Sequence, residues 1–375
     1  MTQQPPPNAS PLPDLRIRGF RGIGKLTIPR LGRVTLLAGR NGVGKTTVLD
    51  AIRLYAARGH RLALAQLVER REGLPPTFFH RDRPLAPLDF GALFHSRPGA
   101  TANTIRIGPT DPAKTLRIEA KPRTGGVSSA AADAVSSSSG AQVLETSFLG
   151  QTDTFFTAEF NKAYVGDPSI ARHGDFSDRH DFPPAAKCES VGPESLTSED
   201  AARLWDNIAL TEHEDLAVSA LNLVLTDEVE RVAMLGGGRG RLDRRRVAVR
   251  LKGGDSPVSL RSLGDGAVRL FGIALALANA HGGFLLIDEA ENGIHHSVQA
   301  AMWKIVLHTA HRNGLQVAAT THSWDCVRGF ATAATGRDDW DGVLVRLEGA
   351  NGRVRAVEYS AEDLAIAAEQ GIEVR

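Results

Sequence analysis

Eight consecutive residues limit what this chain can fold into more than any other feature. Gly39-Arg40-Asn41-Gly42-Val43-Gly44-Lys45-Thr46 fits the pattern G-x-x-x-x-G-K-[ST] without a mismatch. The pattern needs a buried strand before it and a helix after it. Both are present: Val34 to Ala38 is a short apolar run, and Val48, Leu49, Ile52, Tyr55 and Ala56 recur at helical spacing from Thr46 onward. Glycines let backbone N–H groups turn toward anionic oxygens at a helix start, where the helix dipole also favours negative charge. Lys45 would reach the outer phosphates of a nucleotide, and the Thr46 hydroxyl would ligate Mg²⁺.

The rest of such a site has to come from far along the chain. Phe284-Leu285-Leu286-Ile287-Asp288-Glu289 is an apolar strand ending in two acids, at the strand end where α/β sheets place chemistry. Asp288 is the candidate Mg²⁺ partner of Thr46. Glu289 could orient and deprotonate an attacking water, because phosphoryl transfer needs positioning and charge stabilisation more than covalent chemistry. A third string, Gln316 to Ser323, reads as another buried strand ending in Thr321-His322. His322 is either a donor to the γ-phosphate or the attacking water, or a histidine at a strand end that merely faces solvent. Upstream, Leu260 to Leu270 carries Ser262, Gly264 and Asp265 ahead of an apolar helix, Phe271 to Ala280. That turn can receive an anion, or it can be an ordinary helix start capped by Asp265 or Ser262.

The set GRNGVGKTT, SLGDG, LLIDEAENGIHH and TTHS, in that order, resembles the ATP-binding-cassette ATPases of the SMC, RecF and OLD (overcoming lysogenisation defect) type. It is most similar to the small bacterial AAA family ATPases of the OLD class encoded beside a TOPRIM-type partner. The resemblance implies an α/β fold, an ABC-ATPase-like P-loop NTPase head with a mixed sheet core, an antiparallel β subdomain and an inserted helical region. It implies ATP and Mg²⁺ as ligands, held by Arg21, Gly39, Arg40, Asn41, Gly42, Val43, Gly44, Lys45, Thr46 and Thr47, with Asp288 on the metal. Lys45, Glu289 and His322 would be the catalytic set. In such proteins the signature of one subunit contacts the γ-phosphate held by the other, so Ser262, Gly264 and Asp265 would act in trans. Asn292 to His295 would then be the interface loop. Arg18-Gly19-Phe20-Arg21-Gly22 resembles the family's N-F-R strand start, with Gly19 where Asn is usual, and Asp265 stands where Gln or Glu is common. No glutamine loop is assigned in the forty-odd residues after Lys45.

Composition fits an intracellular ATPase. Net charge is +1 over 375 residues and the pI is about 7.9, so any nucleic-acid site has to be a local patch. Cys188 and Cys326 give neither a disulfide framework nor metal-ligand spacing, which agrees with a reducing, cytoplasmic location. The longest apolar run, Leu270 to Ala280, is too short to cross a membrane. His308 and His311, three apart, read as surface residues, and Trp303 and Trp324 as packing or interface residues.

The chain divides into a Pro-rich disordered tail over 1–13, an N-terminal lobe with phosphate loop and β subdomain over 14–120, and flexible loops with a helical insertion over 121–235. A C-terminal lobe with signature, acidic strand and histidine over 236–345 and a hairpin with a helix over 346–375 follow. Within these, Leu15 to Ile28 reads as two strands, Arg61 to Arg71 as a helix, and Thr104–Ile107 with Thr115–Ala120 as paired strands. Thr124 to Gly140 reads as a low-complexity loop on a sheet edge, Gly166 to Pro184 as irregular, and Ser198 to Met234 as two or three helices. No long heptad run exists, so a coiled-coil arm is not expected. Gly236 to Arg246, GGGRGRLDRRR, is either a phosphate-attracting loop, with Arg244, Arg245 and Arg246 leading, or a solvated hairpin tip before the strand Val247 to Leu251.

Three functions fit. One is an ATP-hydrolysing switch that forms an ATP-sandwiched homodimer or higher homo-oligomer and controls a TOPRIM-type effector in trans, an arrangement the resemblance links to defence against phage. The effector is expected on another chain because this one ends at Arg375 without room for it. The second is a RecF-like ATPase that binds DNA without a nuclease partner. The third binds ATP and scarcely hydrolyses it.

Overall fold

The computed structural model describes residues 10–72, 88–96, 103–122, 142–166, 182–194, 196–236, 245–335, 341–350, 353–360, 363, 364 and 366. Its centre is a six-stranded sheet in the order β15-β14-β3-β13-β12-β8. These strands are Arg353–Tyr359 (β15), Gly342–Ala350 (β14), Val34–Ala38 (β3), Gln316–Thr320 (β13), Phe284–Ile287 (β12) and Cys188–Val191 (β8). All neighbours pair in parallel except β14 with β15. Strands buried on both faces read as unbroken apolar runs rather than alternating ones, and β3, β12 and β13 are buried at every position.

One face of this sheet packs on helix α1 (Lys45–Ala56) and helix α2 (Arg61–Glu72). Those helices are in turn covered by a second sheet, so Ile17, Ile52, Leu67, Ile105, Leu286 and Val345 share one core. The second sheet is antiparallel, in the order β2-β1-β4-β5-β6-β7. Its strands are Leu15–Phe20 (β1), Ile23–Ile28 (β2), Asn103–Gly108 (β4), Leu116–Pro122 (β5), Gln142–Phe148 (β6) and Gln151–Phe156 (β7), followed by helix α3 (Thr157–Gly166). The other face of the central sheet packs on helices α6 (Asp265–Asn279), α7 (His296–Arg312) and α8 (Trp324–Ala334). A third core joins α6 to helices α4 (Ser198–Asp206) and α5 (Glu214–Leu221) and to a three-stranded sheet of β9 (Val229–Leu235), β10 (Arg246–Leu251) and β11 (Val258–Ser259).

The expected α/β head with an antiparallel β subdomain and a helical insertion is therefore what forms. The longest helix among the described residues has 17 residues, so no long coiled coil occurs there, and no described helix is long and apolar enough to cross a membrane. Several boundaries differ from expectation. The β subdomain continues past Ala120 through β6 and β7, because Leu144, Thr146 and Phe148 alternate inward and extend the ladder from β5. The helical stretch ends before Val229, where β9 forms; its partner β10 is supplied from across the hairpin, a tertiary pairing that overrides local helical spacing. The C-terminal hairpin begins at Gly342. Residues 10–13 are not free tail: Leu12 is fully buried, held at both backbone polar groups by the Gln316 side chain. The expected loop over Thr124 to Gly140, most of the irregular span Gly166 to Pro184 and Arg244 lie outside the described residues.

Candidate nucleotide site

The parallel order β3-β13-β12-β8 brings four strand ends to one edge, where open α/β sheets bind ligands. The phosphate loop leaves β3, Asp288 and Glu289 follow β12, His322 follows β13, and Gly192 to Glu194 follow β8. The loop bends through positive φ at Gly39 (141°), Gly42 (78°) and Gly44 (108°). At Gly39 a side chain would also place its Cβ 2.5 Å from the Leu347 carbonyl oxygen, so a close backbone approach as well as the turn requires glycine. Lys45, the first residue of α1, is buried and donates to the carbonyls of Gly39 (2.6 Å) and Arg40 (3.1 Å). Burial holds its ammonium below the ordinary lysine range, while Glu291, Asp288 and Glu289 pull it back upward. A partly desolvated cation of this kind gains from an anion brought beside it. Arg40, Asn41 and Thr46 are exposed around it, and Val43 and Thr47 are half-buried.

The Thr46 hydroxyl lies 3.1 Å from Oδ2 and 3.3 Å from Oδ1 of Asp288. Hydroxyl and carboxylate are hard oxygen donors, which suit Mg²⁺. The two residues separated by most of the chain thus fit the metal expected of them. Thr320, at the end of β13, donates to Asp288 Oδ1 (2.5 Å) and accepts from the Glu289 N–H (2.8 Å). Glu289 itself adopts φ 51°, a left-handed backbone that is uncommon outside glycine and clusters at functional sites. Arg269 of α6, 2% exposed, donates to the carbonyls of Asp288 (2.7 Å) and Glu289 (3.0 Å) from one side. From the other it reaches the carbonyls of Gly192 and Glu194. Its own pKa is lowered by burial, against Asp288, Glu291 and Glu289. A forked guanidinium suits such a buried junction because its donors are fixed in one plane.

His322 is half exposed, and its Nδ1 stands 3.1 Å from Oε1 of Glu291, whose side chain is 8% exposed. The same oxygen accepts from the backbone N–H groups of His322 (2.8 Å) and Ser323 (3.1 Å). Glu291 therefore fixes where the ring sits, and a ring so oriented can present its other nitrogen outward. Thr320, Glu291 and Arg269 were not singled out from sequence. Each acts across long separations through a residue type common anywhere, and only Glu291, a second acid two residues beyond Glu289, left a faint mark.

A cavity of about 700 Å³ opens beside Thr46 and Asp288, walled by Arg21, Thr47, Asp50 and the end of β8 among others. Arg21 is thus near the site as expected, but its guanidinium is ion-paired to Asp50 and donates to the Leu67 carbonyl at 2.7 Å. The strand beside the acidic one is β8, far beyond the forty-odd residues after Lys45, and its end carries no glutamine.

The Ser262 turn stands apart from that cavity. Ser262, Gly264 and Asp265 are exposed. Gly264 (φ 103°) opens the 15-residue helix α6 and no side chain caps it; Ser262 Oγ donates to the Ser259 carbonyl at 2.7 Å instead. Capping by Asp265 or Ser262 is thereby corrected: the first N–H groups of α6 are left to other partners. Gly266 packs on the Gly293 carbonyl, which ties the turn to the loop Asn292 to His295. His295 at the end of that loop and His296, the first residue of α7, hold their rings 4.1 Å apart and tilted by 39°. His308 and His311 are exposed, while Trp303 is fully buried, edge-on to Phe330 at 5.1 Å. Residues 237–244 of the arginine string lie outside the described residues; the string joins the antiparallel strands β9 and β10, and its Arg245 is held by two hydrogen bonds to Asp206 (2.5 and 2.7 Å).

Phosphate loop, acidic strand end and parallel sheet together define a P-loop nucleotide-binding fold. The chain belongs to the family described as "AAA domain, putative AbiEii toxin, Type IV TA system", whose sequence pattern matches residues 34–325. No curated protein matches it. Solved structures similar to it include an SMC head bound to the C-winged helix domain of ScpA (12% identity, TM-score 0.49, 95% of this chain and 99% of that one). Another is the SMC head domain from Thermotoga maritima (14%, 0.42, 93% and 99%). A third is the Smc head with an extended coiled coil bound to the C-terminal domain of ScpA derived from Pyrococcus furiosus (11%, 0.48, 96% and 98%).

Proposed function

We propose that the chain is an ABC-type ATPase that closes with a second copy around ATP and, through that closure, controls a separate effector. One observation carries the reading. Thr46, Asp288, Glu289 and His322 gather at one sheet edge, while the exposed Ser262 turn lies outside the cavity beside them and lacks a capping partner of its own. A second copy can bring that turn, as an anion-receiving helix start, onto a phosphate held by the first. Mg²⁺, when bound through Thr46 and Asp288, would neutralise charge on the phosphates. Lys45 and the loop amides would hold the phosphate chain, Glu289 would orient and deprotonate the attacking water, and His322 would donate to the phosphate or the water.

The effector reading rests on the resemblance to ATPases encoded beside a TOPRIM-type partner, and a role in defence against phage follows from the same source. The family's description names a toxin–antitoxin system, which suits one member of a pair. Glu289→Gln should bind ATP, turn over at least about 100-fold more slowly and accumulate as an ATP-bound dimer; Lys45→Ala should not bind ATP. Normal hydrolysis by Glu289→Gln would remove Glu289 as the base. Co-purification with the product of the neighbouring reading frame tests the effector, and absence of a complex argues for an ATPase acting alone.

A further inference from the structure

The exposed face of the antiparallel sheet carries a row of basic side chains that sequence spacing does not show. Lys25 of β2 is paired in register with Arg18 of β1, Arg18 with Arg106 of β4, and Arg106 with Arg117 of β5. All four are exposed, and Arg16, two residues along β1, is exposed beside them. Like charges directly opposite one another across strands are destabilising. The same sheet compensates its charge further along: Arg117 pairs with Glu119, and Lys121 pairs with Glu119 and Glu145. No such acid accompanies Lys25, Arg18 or Arg106, which have no ion pair or hydrogen bond from their side chains among the described residues. This sheet thus holds uncompensated cations in line over β2, β1 and β4, and stops doing so at β5.

We propose that this face binds the phosphate backbone of a nucleic acid without reading its sequence. Strands lie about 4.8 Å apart, so the three in-register side chains Lys25, Arg18 and Arg106 span about 10 Å, close to the axial span of about four phosphates spaced about 3.4 Å apart on one DNA strand, and Arg16 beside them supplies a fourth cation. Arginine forks match phosphate oxygens. Contacts from these side chains to phosphate oxygens carry no sequence information, so base edges go unread. A membrane is a poorer occupant, because no exposed large apolar residue lies on β1, β2, β4 or β5. The site is separate from the arginine string, whose Arg245 is held by Asp206. It needs no ATP hydrolysis, so it stands or falls independently of the function proposed above.

The test uses the full chain and a fluorescein-labelled 30-base-pair duplex, with polarisation read from 50 to 200 mM salt. Four phosphate contacts predict a slope of log affinity against log salt near about −3.6. Arg18→Glu with Arg106→Glu should bring that slope to about −1.8 and weaken binding at least about tenfold at the lower salt, equally for unrelated duplex sequences. Arg250→Glu with Lys252→Glu makes the same charge change on exposed positions of the β9–β10 sheet and should leave binding within about twofold. Circular dichroism and thermal melting establish that both variants are folded. The proposal is overturned if the wild-type chain does not bind the duplex at 50 mM salt, or if the two double variants weaken together. It is also overturned if the ladder variant loses an acidic protein partner while keeping its duplex affinity.

Discussion

Thr320 shows how much of this site depends on single atoms. Its hydroxyl donates to the Asp288 carboxylate and accepts from the Glu289 N–H, so one side chain sets the relation between the acid proposed to face the metal and the proposed base. The residue is fully buried. Thr320→Val keeps the shape and removes both bonds, leaving the Glu289 N–H without its acceptor at a cost of about 1–3 kcal/mol. We expect a lower melting temperature and a kcat reduced at least about tenfold, with ATP binding largely retained; steady-state kinetics beside a nucleotide-binding titration check this, and an unchanged kcat would contradict it. The phosphate loop and both acids were legible in sequence because each motif is contiguous and follows its own buried strand. Glu291 and Arg269 were not, since their roles exist only once β12, β13 and α6 are side by side. Gly19, which departs from the family's Asn, has a local reason: β1 passes so close to β4 that a Cβ there would stand 2.4 Å from the Thr104 carbonyl oxygen.

At the scale of elements, the central strands were readable and several peripheral ones were not. β3, β12 and β13 are buried at every position around apolar centres, and β4 with β5 alternate. β8 is only four residues long, too short for any period to register, and its place next to β12 is fixed by pairing alone. β9 needed β10 to exist as a strand. Prolines make residues 1–13 read as tail; 1–9 lie outside the described residues, but at Leu12 the Gln316 side chain, 3% exposed, binds the Leu12 N–H (2.9 Å), the Leu12 carbonyl (2.8 Å) and the Gly32 carbonyl (3.1 Å). That side chain fastens the entry to β1 onto the central sheet. Gln316→Leu should leave these backbone groups without partners and lower unfolding free energy by about 1–3 kcal/mol, measured by urea denaturation. Stability equal to wild type would mean that Leu12 is held by packing alone.

For the whole molecule, the two sheets with α1 and α2 between them place the phosphate loop at one edge of the core, and α6 carries the Ser262 turn to the outside. Arg269 joins these parts, since the helix that begins at the turn also holds the carbonyls of Asp288 and Glu289. The turn proposed to act in trans and the acidic pair proposed to act in cis are thus linked through one helix, so closure of two copies would be felt at both. If each site is completed by a second copy, two variants inactive in different halves of that site restore one another when mixed. Lys45→Ala removes the phosphate loop and keeps the turn; Ser262→Arg blocks the turn and keeps the loop. Each should be inactive alone. Mixed in equal amounts, half of the dimers carry one intact composite site, which predicts recovery of about a quarter of wild-type ATPase activity. Activity in Ser262→Arg alone, or a mixture as inactive as its parts, would contradict a site shared between two chains.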